Sequence, residues 1–269
     1  MALKDITLGQ FFPGDSPIHR LDPRSKLLCV LLYIISLFLA RWWLTYGLTL
    51  FLLVLTVVIS SISVKAILKG LKPVLFLLVF TGILNLLYYP GETVLFSVWI
   101  FNITQEGVYH AIFMVIRIML LVCSTFLLTY TTSPLALTDG LESLLGPLKA
   151  LRVPVHELAM MMSIALRFIP TLIEETDKIM SAQRARGADF ETGGLVKKAK
   201  ALIPLLVPLF VSSFRRADDL ATAMECRCYQ GGSGRTRMKQ LHYRQSDILC
   251  LGFMLLFCVL VGTLGHFGL

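Results

Sequence analysis

Residues 26–63 read KLLCVLLYIISLFLARWWLTYGLTLFLLVLTVVISSIS, an apolar block that is too long for a single membrane crossing. A hydrocarbon layer of roughly 30 Å is crossed by about 20 helical residues that rise about 1.5 Å each. The block is interrupted at Arg41-Trp42-Trp43, where the paired indoles suit the boundary between lipid and water. It therefore predicts two membrane-spanning helices, at 26–41 and 44–62.

Three further apolar segments have the length of a membrane span. They cover residues 73–89, residues 108–130, and the chain from 248 to its end. Residues 93–103 (TVLFSVWIFNI) are apolar but too short to cross, so we expect a re-entrant or interfacial segment there. The alternating pattern of membrane barrel strands does not occur in this sequence. We therefore predict an all-α, polytopic membrane protein with about five transmembrane helices.

The composition supports the membrane class. Hydrophobic residues make up 56% of the chain and charged residues only 16%, whereas soluble proteins carry about 25% charged residues. The first residues, MALKDITLGQFFPGD, are too polar for a cleavable signal peptide. We therefore expect the apolar segments to remain in the protein as spans.

The 25 lysines and arginines are distributed unevenly along the chain. Apart from Arg41 and Arg117, they lie before or at the start of the first span, between the second and third spans, or within residues 133–245. Basic residues concentrate in cytoplasmic loops, so we predict a bacterial cell-membrane protein with a cytoplasmic N-terminus and an external C-terminus. The formal net charge of +8 then marks the cytoplasmic face and does not indicate nucleic-acid binding.

Residues 133–245 differ from the rest of the chain. Apolar residues recur there at helical spacing, but charges and prolines are interleaved. We predict a short helix at 134–150 and two long amphipathic helices at 156–186 and 195–228. Expected kinks lie at Pro170, Pro204 and Pro208. The apolar stripes consist of Met161, Ile164, Ala165, Phe168, Leu172, Ile179 and Met180 in the first, and Leu202, Leu206, Phe210, Phe214, Leu220 and Met224 in the second.

The chain is therefore expected to have three parts. Residues 1–132 contain about four spans, residues 133–245 form the cytoplasmic helices, and residues 246–269 contain the last span. The cytoplasmic helices can pack on each other, on the spans or on a partner.

The two long helices end alike. Ala185-Arg186-Gly187 closes the first and Cys226-Arg227-Cys228 the second, and glycine pairs follow at 193–194 and 231–232. One interpretation is a helix cap, in which arginine complements the negative end of the helix dipole and glycine ends the helix. The other is a docking contact, in which small neighbours let a second surface approach and the guanidinium binds a carboxylate. Because two consecutive helices share the pattern, we favour two equivalent docking sites for a two-fold or pseudo-two-fold partner.

Residues 13–27 (PGDSPIHRLDPRSKL) resemble the N-terminal signature of the T components of energy-coupling factor (ECF) transporters. Residues 165–172 (ALRFIPTL) are similar to part of their cytoplasmic helices, and the two tripeptides fall where that family carries paired Ala-Arg-Gly motifs. The resemblance covers essentially the whole chain. The second tripeptide departs from the pattern, since Cys226 and Cys228 replace alanine and glycine, but it keeps the arginine between fairly small neighbours.

Four residues of the N-terminal signature precede or begin the first span: Asp22, Pro23, Arg24 and Lys26. They either order the entry of the helix or cap it and add positive charge to the cytoplasmic side. We favour a structural role for them.

The resemblance implies a non-catalytic coupling subunit. T components join two ABC-type ATPase subunits to a membrane-embedded S component that captures a vitamin or similar micronutrient. Arg186 and Arg227 would each insert into a groove of one ATPase, and the long helices would act as levers that reorient the S component. The alternative is a conventional ABC permease that itself forms the substrate path, but the predicted spans contain few polar groups for such a path.

Enzymatic chemistry finds little support in the sequence. His156-Glu157 is followed by Met160 where a zinc-protease motif requires a second histidine. Cys226 and Cys228 form a C-x-C without a second pair, so we expect no metal site. The sequence has no Walker A motif, so we expect ATP to be bound by partner subunits and no cofactor to be bound by this chain.

Two charged features remain outside these motifs. Arg117 lies inside a predicted span, where a charge is costly unless it is paired, and it could contact the capture protein. Glu174, Glu175 and Asp177 form an acidic group that is either a solvated helix face or an anchor for neighbouring bases.

Overall fold

A computed structural model describes residues 11–89, 93–98, 101–188, 190, 194–231 and 240–267. Within these residues it contains eight α-helices, one 3₁₀ helix and one two-stranded hairpin, which confirms the predicted all-α class. The helices are α1 (Pro23–Leu39), α2 (Trp43–Ser60), α3 (Val64–Tyr88), α4 (Gln105–Thr131), α5 (Pro134–Leu144), α6 (Val155–Ala185), α7 (Leu195–Cys226) and α8 (Gln245–Phe267). The 3₁₀ helix is Gly146–Leu151, and the strands are β1 (Val94–Val98) and β2 (Phe101–Thr104).

In the described part of the chain, five helices are long and apolar enough to cross a membrane: α2, α3, α4, α6 and α8. Helix α1 has 17 residues, which is at the lower limit for a span. Helix α6 differs from the other four, because its most apolar stretch has a mean hydropathy of 1.3, compared with 1.9 to 2.6. Helix α3 begins at Val64, earlier than the predicted 73, because its first turns carry lysines that an apolar pattern alone leaves out.

The contacts divide the chain into two units. The spanning unit consists of Gly9–Gly140 and Leu241–Leu269, and the amphipathic unit consists of Leu141–Gln240. In the spanning unit, α1 packs against α8, α4 and α2, and α3 packs against α4. Leu37 and Ala40 are fully buried at this centre. A Cβ atom at Gly265 would lie 2.6 Å from the carbonyl oxygen of Leu39, so a glycine is required where α8 approaches α1.

Residues 94–98 and 101–104 form two paired strands within the stretch where we expect a re-entrant or interfacial segment, and residues 99–100 of that stretch lie outside the described residues. Strands β1 and β2 pair antiparallel, with Val98 opposite Phe101. The pairing gives hydrogen-bond partners to backbone N–H and C=O groups that a single short segment would leave without partners. Thr104 follows as the N-cap of α4, and its hydroxyl accepts a hydrogen bond from the Gly107 N–H at 3.1 Å.

The helices of the segment after Thr132 begin close to the predicted positions, and α6 and α7 also end close to them. The Ser133 hydroxyl accepts a hydrogen bond from the Ala136 N–H at 3.3 Å and so caps α5. Helix α5 ends at Leu144, earlier than the predicted 150, and the 3₁₀ helix Gly146–Leu151 follows. Pro147 has no N–H to continue the α-helical hydrogen bonds. The prolines that we expected to mark kinks lie inside α6 and α7.

Candidate functional site

The first arginine motif forms the C-terminal cap of α6. After Ala185 the chain turns through Arg186, with φ −85° and ψ 5°, and Gly187, with φ +88°. The Gly187 N–H donates to the Arg184 carbonyl at 2.9 Å, and the Ala188 N–H donates to the Gln183 carbonyl at 3.0 Å. These two bonds define a Schellman motif, which satisfies carbonyls that the helix end would otherwise leave open.

The second arginine motif forms the same cap on α7. Arg227 has φ −95° and ψ 15°, and Cys228 has φ +56°. The Cys228 N–H donates to the Glu225 carbonyl at 2.8 Å, and the Tyr229 N–H donates to the Met224 carbonyl at 3.0 Å. Arg186 and Arg227 therefore occupy equivalent positions in two equivalent turns, although only the arginine is common to the two tripeptides.

The six residues of the two motifs are all exposed. Among the described residues, neither the Arg186 nor the Arg227 side chain has a hydrogen bond or an ion pair. Each guanidinium lies at the negative end of its helix, as a cap requires. Its N–H groups are free to donate hydrogen bonds to a second molecule. Each motif is followed in the sequence by a pair of glycines, and one glycine of each pair, Gly193 and Gly232, lies outside the described residues.

The glycine of the first motif is required by its backbone conformation. A Cβ atom at Gly187 would have no neighbouring atom within 4 Å, so packing inside the chain does not demand glycine there. Its φ of +88° does, because L-residues rarely adopt this region. Cys228 adopts the corresponding region with a side chain, at a cost of about 1 kcal/mol. The departure from Ala-Arg-Gly therefore strains the second turn without changing its hydrogen bonds.

We expect the Cys228→Gly variant to raise the free energy of unfolding of this chain by about 1 kcal/mol, because glycine relieves the left-handed conformation. The reciprocal Gly187→Cys variant should lower it by a similar amount. Thermal unfolding in detergent, followed by circular dichroism, measures both. The control is Cys226→Ala, at the last helical position of α7, which should melt like the wild type. A lower melting temperature for Cys228→Gly would contradict this account of the turn.

The two motifs lie at opposite ends of the α6–α7 pair, because these helices are antiparallel. The Tyr229 hydroxyl donates to Met160 Sδ at 3.1 Å, near the start of α6. In the middle of the pair, Arg216 Nη2 donates to Glu175 Oε2 at 2.7 Å. About 25 residues of α6 separate Met160 from Ala185, which corresponds to about 37 Å along the helix.

The pairing of α6 and α7 uses part of each predicted apolar stripe. Ile164, Phe168 and Leu172 line a cavity together with Leu220 and Met224. Glu175 accepts from the Ser212 hydroxyl as well as from Arg216, so this member of the acidic group anchors a base of the neighbouring helix. The remaining members of the α7 stripe, Leu202, Leu206, Phe210 and Phe214, are exposed.

An apolar surface of α7 is exposed in this chain. Phe210 and Phe214 are 61% and 68% exposed. Apolar neighbours extend the surface over more than three helical turns: Leu202, Ile203, Leu206, Val207 and Val211. Large exposed apolar patches on proteins mark contacts with a partner or a membrane, so we call Leu202–Phe214 the α7 apolar surface.

The four residues of the N-terminal signature lie at the start of α1. The Asp22 carboxylate accepts from the Arg24 N–H at 2.9 Å and caps the helix, and Pro23 is its first residue. Lys26 is buried, and its ammonium group donates to the Thr131 carbonyl at 2.9 Å. Asp247 belongs to none of the sequence motifs, and its carboxylate accepts from the Asp22 N–H at 2.8 Å.

No three histidine, cysteine, aspartate or glutamate side chains are arranged for a metal ion in the described part of the chain. Cys226 and Cys228 are exposed free thiols. The arginine motifs instead present two guanidinium groups, without partners among the described residues, at two hydrogen-bonded helix ends.

Comparison with known proteins adds independent information. The family described as CbiQ, cobalt transport protein, matches residues 14–239. The energy-coupling factor transporter transmembrane protein EcfT of Ruminiclostridium cellulolyticum is 54% identical over 255 residues, which cover 95% of each chain. The protein of the same name from Thermosediminibacter oceani is 52% identical over 246 residues, or 91% of this chain and 92% of that one. That of Lactococcus lactis subsp. cremoris is 48% identical over 259 residues, or 96% and 97%.

Proposed function

Because the chain belongs to the CbiQ family and to its EcfT group of energy-coupling factor transmembrane proteins, we propose that it couples ATP hydrolysis to uptake in an ECF-type ABC importer. It is a multi-pass membrane subunit of a transport complex. In our proposal it transmits the conformational change of two ATPases to an S component that binds a vitamin or another micronutrient. The observation that carries the proposal is the pair of equivalent, exposed arginine caps on α6 and α7.

Each arginine motif docks one ABC-type ATPase subunit. The guanidinium groups of Arg186 and Arg227 have no partner among the described residues, and a planar guanidinium binds a carboxylate with two parallel hydrogen bonds. The motifs lie at opposite ends of α6, whose length between Met160 and Ala185 is about 37 Å, and this spacing allows them to bind two subunits. Because the two turns have the same backbone geometry, they suit two similar surfaces.

The α7 apolar surface contacts the S component. Seven leucine, isoleucine, valine and phenylalanine side chains of this surface are exposed between Leu202 and Phe214, just before the Arg216–Glu175 ion pair. A partner that is embedded in the membrane offers apolar groups to such a surface. When ATP closes the ATPase pair, α6 and α7 move with the docked arginines and reorient the S component in the bilayer.

The orientation in the membrane follows from the distribution of charge. Helix α6 carries exposed charges along its length, at Glu157, Arg167, Glu174 and Lys178. A span would place these groups in lipid, which is costly, so we place α6 in the cytoplasm together with α7. With α1 as the first of five spans in this proposal, the positive-inside rule gives a cytoplasmic N-terminus and an external C-terminus in the bacterial cell membrane.

The catalytic step belongs to the partner ATPases, which bind the ATP, and this chain needs no cofactor in our proposal. A permease would need a polar path through its spans. The cavity among α1, α2, α4 and α8 is instead lined mainly by apolar side chains, among them Val30, Leu52, Leu127 and Met254. This lining favours a coupling subunit over a permease.

We expect the purified chain alone to bind no transport substrate, because capture belongs to the S component. The measurement is equilibrium binding of radiolabelled riboflavin and of radiolabelled cobalt(II) to the detergent-solubilised chain. The control is the same chain purified together with an S component specific for each probe, which should bind it. Saturable binding by the chain alone would contradict the proposal and favour the permease.

A further inference from the structure

The N-terminal signature holds the point at which the chain leaves the spanning unit. Lys26 Nζ donates to the Thr131 carbonyl at 2.9 Å and to Thr132 Oγ1 at 3.2 Å, at the end of α4. Helix α5 starts directly afterwards and lies against the same signature, since a Cβ atom at Gly140 would be 3.1 Å from Pro23 Cβ. The chain enters the amphipathic unit after Gly140.

The same signature holds the point at which the chain returns. Arg24 Nη2 donates to the Leu241 carbonyl at 2.8 Å, and the guanidinium lies 5.1 Å from the centre of the Tyr243 ring. The Asp247 carboxylate accepts from the Asp22 N–H and from the Arg244 N–H, each at 2.8 Å. Leu241 is the first residue of the spanning unit after the amphipathic unit.

These contacts form one buried group of balanced charge. Asp22, Lys26 and Asp247 are 8%, 6% and 1% exposed, and the Arg24 side chain is 16% exposed. Two carboxylates and two basic groups compensate each other, and each also bonds to the backbone. Buried ion groups of this kind add little net stability, but they fix one geometry, because any alternative leaves a buried charge without a partner.

We propose that Asp22, Arg24, Lys26 and Asp247 form a clamp on the two chain segments that lead into and out of the amphipathic unit, and that the clamp fixes both segments to the spanning helices. The clamp transmits movement of α6 and α7 to α1, α4 and α8, and its members are positioning residues for transport. This proposal rests on the function proposed above. It differs from a merely structural role because loss of the clamp separates ATP hydrolysis from uptake and leaves assembly intact.

The test uses the chain co-expressed with its ATPases and with a riboflavin-binding S component, reconstituted in lipid vesicles. The variants are Lys26→Met and Asp247→Asn, and the readouts are bound ATPase, ATP hydrolysis and uptake of radiolabelled riboflavin. We expect both variants to retain their ATPases, while uptake per ATP hydrolysed falls about tenfold, within the usual range of coupling between sites.

The matched control is Tyr33→Phe, which removes a buried hydrogen bond of α1 from the Tyr33 hydroxyl to the Thr49 carbonyl. This variant loses stability without touching the clamp, so its uptake per ATP should equal that of the wild type. If Lys26→Met and Asp247→Asn do not accumulate in the membrane, uptake per ATP of the Arg24→Met variant tests the clamp in their place. It removes the contacts to Leu241 and Tyr243 and leaves the buried Lys26 and Asp247 in place.

Unchanged uptake per ATP in the assembled clamp variants would contradict the clamp proposal. An equal fall in uptake per ATP in Tyr33→Phe would contradict it too, and so would a loss of bound ATPase from the clamp variants. If wild-type uptake depends on this chain while the clamp variants stay coupled, the clamp fails and the proposed function stands. If wild-type uptake does not depend on this chain and the ATPases, the proposed function fails and the clamp fails with it.

Discussion

The Arg117→Met variant should lose about 3 kcal/mol of unfolding free energy, because two buried acceptors lose a charged donor. Arg117 Nε donates to the Tyr46 hydroxyl at 3.0 Å, and Nη2 donates to the Ala40 carbonyl at 3.3 Å. Ala40 caps the C-terminal end of α1 and is fully buried, so its carbonyl has no access to water. The guanidinium also lies 5.6 Å from the centre of the Phe38 ring. These contacts compensate the cost of a charge inside a span.

Thermal unfolding in detergent measures this loss. The matched control is Arg41→Met, which removes an exposed arginine from the adjoining α1–α2 connection and should melt like the wild type. In a double-mutant cycle, Tyr46→Phe should cost less in the Arg117→Met background than in the wild type, because the pair is already broken. If Arg117→Met melted like Arg41→Met, the contacts of Arg117 would not stabilise the spanning unit.

The sequence predicted the helices well where hydropathy alone decides. The break at Arg41-Trp42-Trp43 is confirmed: α1 ends at Leu39 and α2 begins at Trp43. The long helices α6 and α7 also lie within two residues of their predicted limits, because apolar spacing persists over eight or nine turns. Long periodic segments constrain their own structure, and partners are not needed to identify them.

The hairpin at Val94–Thr104 was not predictable from the same signal. A short apolar run is compatible with a strand, a buried turn of helix or an interfacial segment. Its structure depends on pairing between β1 and β2, and the apolar pattern of one segment does not report such a pairing. Several β-branched and aromatic residues in this run were the available hint.

The equivalence of the two arginine motifs could be predicted only in part. The sequence shows two arginines between small residues at helix ends, but it assigns the glycine of the first motif to close packing as readily as to backbone conformation. The positive φ of both Gly187 and Cys228 identifies the backbone role. Because non-glycine residues seldom adopt such a φ, the cysteine at position 228 gives no indication in the sequence that the second motif has the same turn.

The contact between Asp247 and the start of α1 could not be predicted from the sequence. An acidic residue in the first turn of a helix is explained by the helix dipole alone. Its partner, the Asp22 N–H, is 225 positions away in the chain, and a backbone donor leaves no trace in the side-chain pattern. Contacts between chain ends of this kind are visible only once α1 and α8 are packed together.

The second large effect is expected when both arginine motifs are reversed in charge. In the Arg186→Glu/Arg227→Glu variant, each ATPase would lose a charged hydrogen-bonding partner, which costs about 2–5 kcal/mol per contact. We expect each single reversal to weaken ATPase binding and the double reversal to abolish it. The membrane insertion of the chain should not change, because both side chains are exposed and have no partner among the described residues.

Co-purification of the ATPases with this chain tests the central claim most directly. The control is Lys178→Glu/Arg215→Glu, which makes the same change in net charge at exposed positions of α6 and α7 outside the motifs. Our account predicts that the ATPases co-purify with the wild type and with this control, and that none co-purifies with Arg186→Glu/Arg227→Glu. Retention of the ATPases by Arg186→Glu/Arg227→Glu would contradict it, and the two arginines would then be helix caps alone.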